Sequence, residues 1–406
     1  MSRRIPGGER ERLQRRLASL WLAPVGGERD GGERGDRGGE RGDVGGERDG
    51  GGDGAARIAA VARHLLATQA QDFGQGVWAL GVRAPGSTRR DVTKALDDGS
   101  VVRSWPMRGT LHLIDPDDLR GFLSLTARRT VTGAASRHRG LGIDEQTVGR
   151  AREVATGLLR GGGRATREQF TAALEGAGLE PGGQRGMHLI WLLAHEGLIC
   201  WGPMAEGGAQ QALVLLDEWA PATREWSPDE AHDELLLRYV RGHGPTTLKD
   251  FCHWSKLLVS DSTAALARIR GRLEEVDLGS GTYLVEAGAA EAGAAGPPAA
   301  EAGTAPQHLA LPGFDEYLLG YRSRQPALAA EFSARVVSGE NGMFLPMLVS
   351  RGAIVGTWKR SITAKAVTIT TDPFEPLTAT EHKGFERALR RYAEFLELPL
   401  KVNDGR

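Results

Sequence analysis

The order of apolar periodicities between residues 55 and 286 constrains this chain more than its composition does. Three times, helical spacing gives way to a pair of short β-rich runs around a turn. A helix trio closed by a hairpin is the winged-helix layout, and three in succession predict tandem winged helices. In the first block, Ile58, Val61, Ala62, Leu65 and Leu66 predict a helix that runs to Gln69. A shorter helix holds Val77, Trp78 and Leu80. Thr88, with Asp91 three residues on, caps a third that ends near Asp97. Residues 101–105 and 107–114 read as strands around Pro106. Asp115-Pro116-Asp117-Asp118 then starts a new helix, with a cap, a proline at the first position and acids at the positive dipole end.

The second block carries helical patterns over 146–159, 167–174 and 184–196, the middle one capped by Thr166 with Gln169, and strands at 198–201 and 212–216. The third opens on Ser227-Pro228, with helices near 230–240, 248–254 and 264–273 and strands at 273–276 and 283–285. The blocks share no obvious sequence identity. After residue 306 the chain turns to short runs rich in Val, Ile, Thr and aromatics, closed by a helix over 381–396. The fold class is therefore α+β. The expected units are an N-terminal helix (1–25), three winged helices (55–140, 141–226, 227–286) and a β-rich, barrel-like domain (307–406). Residues 287–306, rich in Ala, Gly and Pro, read as a linker. Residues 26–54 are slipped copies of Gly-Gly-Glu-Arg whose only apolar side chain is Val44. They cannot bury enough surface to offset chain entropy and read as a disordered spacer.

Charge narrows the function classes. The chain is formally −1, but the spacer holds nine acids against five arginines, which leaves the remainder at +3. Only seven of the 51 basic residues are lysine, and arginine favours bidentate contacts to phosphate. Arg120, Arg128, Arg129, Arg137, Arg139, Arg150 and Arg152 form a basic stretch that fits either a solvated helix face or a phosphate-contacting strip. Cys200 and Cys252 are 52 positions apart with no CxxC, which supports neither a zinc ribbon nor a disulfide framework. His112, His188, His195 and His253 lack metal-ligand spacing, and no phosphate loop or dinucleotide fingerprint occurs, so neither metal nor cofactor is expected. No apolar run approaches membrane-spanning length and no signal-peptide core is present, so a soluble cytoplasmic protein is expected. Trp105, Trp191, Trp201 and Trp358 read as core. Asp315 and Glu316 are expected to cap a helix or pair with Arg322 or Arg324.

One stretch suggests chemistry. The helical pattern runs into Gln69-Ala70-Gln71, then breaks at Gly74 and Gly76. Two amides at a helix junction can hold a water or a sugar oxygen but cannot act as strong bases. Solvated or capping glutamines fit the same residues. Residues two apart on a helix diverge by about 200°, so both amides can face one target only at a helix end.

A wider set of motifs then becomes visible: Thr68-Gln69-Ala70-Gln71-Asp72, Arg103-Ser104-Trp105-Pro106-Met107-Arg108-Gly109-Thr110-Leu111-His112, Phe314-Asp315-Glu316-Tyr317-Leu318-Leu319-Gly320-Tyr321-Arg322, Asn341-Gly342-Met343-Phe344-Leu345-Pro346 and Gly356-Thr357-Trp358-Lys359. Their order and spacing resemble the winged-helix DNA glycosylases of the AlkZ/YcaQ superfamily, over nearly the whole chain outside the two low-complexity segments. The resemblance implies a C-shaped molecule that grips duplex DNA, acts as a monomer and removes N-alkylated purines, chiefly N7-alkylguanine. In the AlkZ branch it implies unhooking of interstrand crosslinks and self-resistance to alkylating natural products. That branch carries Gln-x-Gln, matched here by Gln69 and Gln71 as catalytic residues. The YcaQ branch has Gln-x-Asp, and Asp72 is out of that register. Candidate DNA contacts are Arg103, Arg108, Arg128, Arg129, Arg137 and Arg139. A non-catalytic winged-helix DNA binder, either a regulator or a protein that shields adducts, is the contrasting class.

Overall fold

Local chemistry sets the helix starts. In the computed structural model, which describes residues 6–22, 51–208, 210–288, 307–338 and 342–404, α1 (Gly7–Ser19) is followed by α2 (Gly51–Leu65), β1 (Ala67–Gln69), α3 (Phe73–Gly81) and α4 (Arg89–Asp97). Residues 23–25, residues 26–50 of the expected spacer and 289–306 of the expected linker lie outside the described residues, whereas 51–54, expected in the disordered spacer, form the first turn of α2. Thr88 and Asp91 cap α4 reciprocally. The hairpin β2 (Val102–Met107) and β3 (Thr110–Ile114) leads to α5 (Pro116–Gly133), where Asp115 accepts the Asp117 N–H at 2.9 Å and Pro116 occupies the first turn. Then come α6 (Ala135–Gly140), α7 (Glu145–Leu159), α8 (Arg167–Gly176), α9 (Arg185–His195), β4 (Ile199–Met204), β5 (Gln211–Leu215) and the short α10 (Leu216–Trp219). The box expected at Thr166/Gln169 forms, and Ser227 caps its helix through a further box with Glu230. The third block is α11 (Pro228–His243), α12 (Leu248–Ser255), α13 (Val259–Arg268), β6 (Leu273–Asp277) and β7 (Thr282–Glu286).

Two features of the first hairpin differ from expectation. Pro106 sits inside β2, at a register shift between Ser104 and Met107, rather than at the turn. A bulge tolerates a residue without an N–H. The turn is Arg108-Gly109, both left-handed at φ 57° and 68°, as a two-residue type I′ hairpin requires. The hairpins of the first two blocks also fuse. They form one five-stranded sheet, ordered β1-β3-β2-β4-β5, joined where Arg103 on β2 faces Trp201 on β4. The boundary expected at residues 140/141 therefore divides the helices but not the sheet.

The C-terminal part is β8 (His308–Leu311), α14 (Glu316–Leu319), α15 (Ser333–Val336), a ribbon of β9 (Val337–Ser338) and β10 (Met343–Phe344), β11 (Met347–Ser350), β12 (Ala353–Ile362), β13 (Val367–Pro373), α16 (Ala379–Phe395) and β14 (Leu400–Asp404). Its five-stranded sheet is open, ordered β14-β13-β12-β11-β8, in place of a closed barrel. β14 runs parallel to β13. This sheet is not an independent unit. Leu13 and Leu17 of α1, Ile58 and Val61 of α2, and Val77 and Trp78 of α3 share one core with Leu348, Trp358, Phe385 and Tyr392. The Trp78 indole N–H donates to the Ala310 carbonyl at 2.9 Å, which fastens α3 onto β8.

Candidate active site

The expected helix through Gln69 stops four residues early. Leu66 takes a left-handed conformation (φ 66°), which a helix cannot continue through, and the chain becomes the edge strand β1. Gln69 then lies opposite His112 of β3, and Ser104 of β2 lies opposite the same His112. A cross-strand row puts all three on one face of the sheet. Gln69 is only 4% exposed, and its Oε1 has no hydrogen-bond partner; nor does the buried Ser104 Oγ. His112 is fully buried. Burial first, and Arg108 second, hold its pKa well below the usual histidine range, so the ring is neutral. Its Nδ1–H therefore donates to the Thr110 carbonyl (2.8 Å), and Nε2 accepts from the Arg108 guanidinium (2.9 Å).

Gln71 stands in a different setting: it is exposed. The Ala70 N–H makes its ladder bond to the Leu111 carbonyl at 2.8 Å. The return bond is replaced. The Leu111 N–H donates to the side-chain Oε1 of Gln71 at 3.1 Å, and the Ala70 carbonyl accepts from Arg103 Nε at 2.9 Å. Arg103 also donates to the Gln71 carbonyl (3.3 Å) and to Gln211 Oε1 on β5 (2.9 Å). The bend that takes the chain off the sheet is thus held by one guanidinium. Burial lowers the Arg103 pKa to about 10, which keeps it cationic at neutral pH.

Just beyond, Asp72 caps α3 by accepting the Gln75 N–H at 3.1 Å. Gly76 lets that helix lie against the strand: a Cβ there would sit 2.4 Å from the Ala70 Cβ. The C-terminal part closes the other side. The Gly313 N–H donates to Gln75 Oε1 at 3.0 Å, and the Arg360 guanidinium lies 3.7 Å from Asp72.

The expected DNA-contacting arginines divide into two groups. Arg128 and Arg129 on α5 and Arg137 and Arg139 on α6 are exposed. Arg129 donates to the Lys256 carbonyl at 3.2 Å, and Arg137 to Gln184 Oε1. Within the same stretch, Arg120 is tied to Asp217 and Arg152 to Glu196. Arg103 and Arg108 have partners within the protein. Arg103 braces Gln71. The Arg108 side chain is 13% exposed and faces inward, toward His112 and Glu316 (3.9 Å).

Asp315 and Glu316 also differ from expectation in their partners. Asp315 does cap α14, accepting the Tyr317 N–H at 2.8 Å, but its carboxylate takes both Arg83 nitrogens, at 2.8 and 2.9 Å, with both side chains fully buried. Glu316 accepts from the Trp254 indole at 2.7 Å and lies 3.2 Å from His243. Neither pairs with Arg322 or Arg324. This buried chain runs from Glu316 through Arg108 to His112, directly beside Gln69.

Gln71 lies at the rim of a cleft of about 570 Å³ walled by Phe73, Trp105, Trp191 and Trp201. Of the four tryptophans expected in the core, Trp358, Trp105 and Trp201 are buried and Trp191 is half-buried against the same cluster; Trp105, Trp191 and Trp201 also line this cleft. A larger cavity, about 1220 Å³, is lined by paired charges such as Arg63–Asp115 and Arg238–Asp118, and neither glutamine lines it. No cluster of metal-ligating side chains occurs among the described residues, and none of their helices is long and apolar enough to cross a membrane.

An amide pair at a braced strand end, beside an aromatic cleft, can be set against known proteins. Residues 62–395 match the AlkZ-like DNA glycosylase family. The chain belongs to that family. This AlkZ-like protein is thus a DNA glycosylase, and DNA is its substrate. The matched span includes both glutamines, the aromatic cleft and Asp315. An interstrand DNA cross-link repair glycosylase of Streptomyces sahachiroi is 28% identical over 309 residues, covering 74% of this chain and 81% of that protein. The structure of the Streptomyces sahachiroi DNA glycosylase AlkZ aligns with a TM-score of 0.71 at 23% identity, covering 97% of this chain and 99% of that one. At that identity the likeness is one of fold.

Proposed function

We propose that this AlkZ-like glycosylase hydrolyses the N-glycosidic bond of N7-alkylguanine in duplex DNA, bulky adducts and interstrand crosslinks included, and protects a cell against a DNA-alkylating natural product. Gln69 and Gln71 carry the chemistry. The supporting observation is the setting of Gln71, exposed at the rim of the cleft with its backbone held by Arg103, two residues from a buried Gln69 amide oxygen that has no partner.

The chemistry asks little of a base. Alkylation at N7 puts a positive charge on guanine, so the C1′–N9 bond breaks with its electron pair going to the base, which leaves neutral. Positive charge develops on the deoxyribose. Water adds to C1′ and gives a proton to solvent, leaving an abasic site. An amide oxygen can orient that water and face the cationic sugar. Gln71 already spends one oxygen lone pair on Leu111, which fixes its amide plane and leaves the second lone pair for the water. The three helix–hairpin blocks act as tandem winged helices, with Arg128, Arg129, Arg137 and Arg139 contacting phosphates, and the protein works as a monomer without a cofactor.

The test is a duplex containing one N7-methylguanine, incubated with enzyme and then treated with alkali. Wild type yields strand breaks, and Gln69→Ala or Gln71→Ala lowers the single-turnover rate by about 10²-fold or more, as loss of one preorganised polar group does elsewhere. Tight binding by wild type without base release, or full activity in both variants, overturns the proposal.

A further inference from the structure

The second block supplies a side chain with a part in the reaction. We propose that Gln211 is a positioning residue: its amide fixes the Arg103 guanidinium, and through it the backbone from which Gln71 reaches the sugar. The inference rests on the catalytic role proposed above for Gln71.

The contacts form one chain. Gln211 opens β5 and is buried. Opposite it, the β4–β5 ladder shifts register between Trp201 and Met204, which leaves Gly202 and Pro203 in a bulge. The Gly202 carbonyl accepts from Gln211 Nε2 at 3.2 Å. That bond decides which way the amide points. With Nε2 on a carbonyl, Oε1 faces Arg103, whose guanidinium offers only donors, and accepts from Nη1 at 2.9 Å. Turned over, the amide would set oxygen against oxygen and donor against donor. Arg103 grips the bend with its other edge. Nε and Nη2 donate to the Ala70 and Gln71 carbonyls at 2.9 and 3.3 Å, and the Phe73 ring centre lies 5.5 Å from the guanidinium carbon.

The need for an anchor at Nη1 follows from what the bend lacks. The Leu111 N–H that would complete the ladder goes to the Gln71 side chain, so the Ala70 carbonyl is held by Arg103 in place of a strand neighbour. An arginine side chain has much rotamer freedom of its own. β2 fixes its base; Gln211, 108 positions later, fixes its tip. Without that third bond the guanidinium pivots about the edge that holds the bend, and the Gln71 backbone moves with it.

Gln211→Met keeps the length of the side chain and removes both of its bonds. On a duplex with one N7-methylguanine, under single-turnover conditions, this variant is expected to lose about 10-fold in rate at saturating enzyme, with half-saturation within about 2-fold of wild type. In a Gln71→Ala background the same substitution is expected to cost less than about 2-fold, because a residue that acts through Gln71 then has nothing left to place. A 10-fold loss in both backgrounds makes Gln211 a general support of the fold. Weaker half-saturation with an unchanged maximal rate makes it a DNA contact, and a wild-type rate in Gln211→Met leaves it without a role. Each of these results overturns the inference. Failure of the reading beneath it looks different: wild type releases no base, or Gln71→Ala alone is as fast as wild type, and the role of Gln211 falls with it.

Discussion

Gly76→Ala separates packing from helix propensity at the site where α3 meets the glutamines. In an ordinary helix the change stabilises by roughly 1 kcal/mol, because glycine loses more backbone freedom on folding. Here the new methyl would lie 2.4 Å from the Ala70 Cβ, 2.9 Å from the Ala70 Cα and 3.2 Å from the Gln69 carbonyl oxygen. Ordinary carbon contacts start near 3.4 Å, so helix and strand must part by about 1 Å. Overpacking of this kind costs about 1–3 kcal/mol, which outweighs the propensity gain. The larger effect is on rate. A 1 Å misplacement of catalytic groups costs about 10²-fold, and the residues displaced are Gln69, Ala70 and Gln71. Single-turnover release of N7-methylguanine should therefore fall by about two orders of magnitude in Gly76→Ala, while the melting temperature drops only a few degrees. Ala70→Gly in the same chain removes the closest clash and should recover part of the rate. Wild-type turnover in Gly76→Ala, or an Ala70→Gly/Gly76→Ala double variant no faster than the single, refutes the argument that this approach positions the amides.

Two further outcomes follow from groups away from the strand end. His64 is stacked on Trp21, and burial lowers its pKa to about 4 despite a 2.6 Å contact to the Ser19 carbonyl. A depressed histidine pKa means the unfolded chain binds the extra proton first. Stability is therefore full above about pH 6.5 and falls as pH drops toward 4, by up to ~3 kcal/mol from this one ring. Urea titrations at several pH values should show that slope flattened in His64→Gln, and an unchanged slope would refute the assignment. Asp315→Ala leaves the Arg83 guanidinium buried without its counter-charge, at a cost of about 3–5 kcal/mol. Thermal melts should show a large loss in that variant, and a near-native melting temperature would mean the pair contributes little.

What could be read in advance was local. Thr88, Asp115, Thr166 and Ser227 announce helix starts because cap, partner and helix lie within four residues of one another. The α+β order and the Gln-x-Gln motif were legible for the same reason. The setting of that motif was not. β1 is three residues long and exists only because β3, more than forty positions later, offers it an edge. The fusion of two hairpins rests on a single facing pair, Arg103 and Trp201, almost a hundred residues apart. Asp315 finds Arg83 across 232 positions, out of reach of any reasoning from neighbours such as Arg322. Arg103 meets Ala70 and Gln211, and Arg108 lies near Glu316, contacts too remote in sequence to be read there. His112 and Ser104 stood in the hairpin motif, but only the strand register brings them beside Gln69.

The bend at Ala70 is anchored from two directions. Arg103 ties it to β5 of the second block, while Trp78 and Gln75 tie the following helix to the C-terminal sheet. The reactive segment therefore cannot be lifted out as a minimal module: removing either anchor would strip the loop of its bracing before it stripped the glutamines of their chemistry. A swivel of those outer parts on binding DNA would pull on the same few atoms. In the proposed chemistry, seating on DNA and alignment of the two glutamines then become one mechanical event.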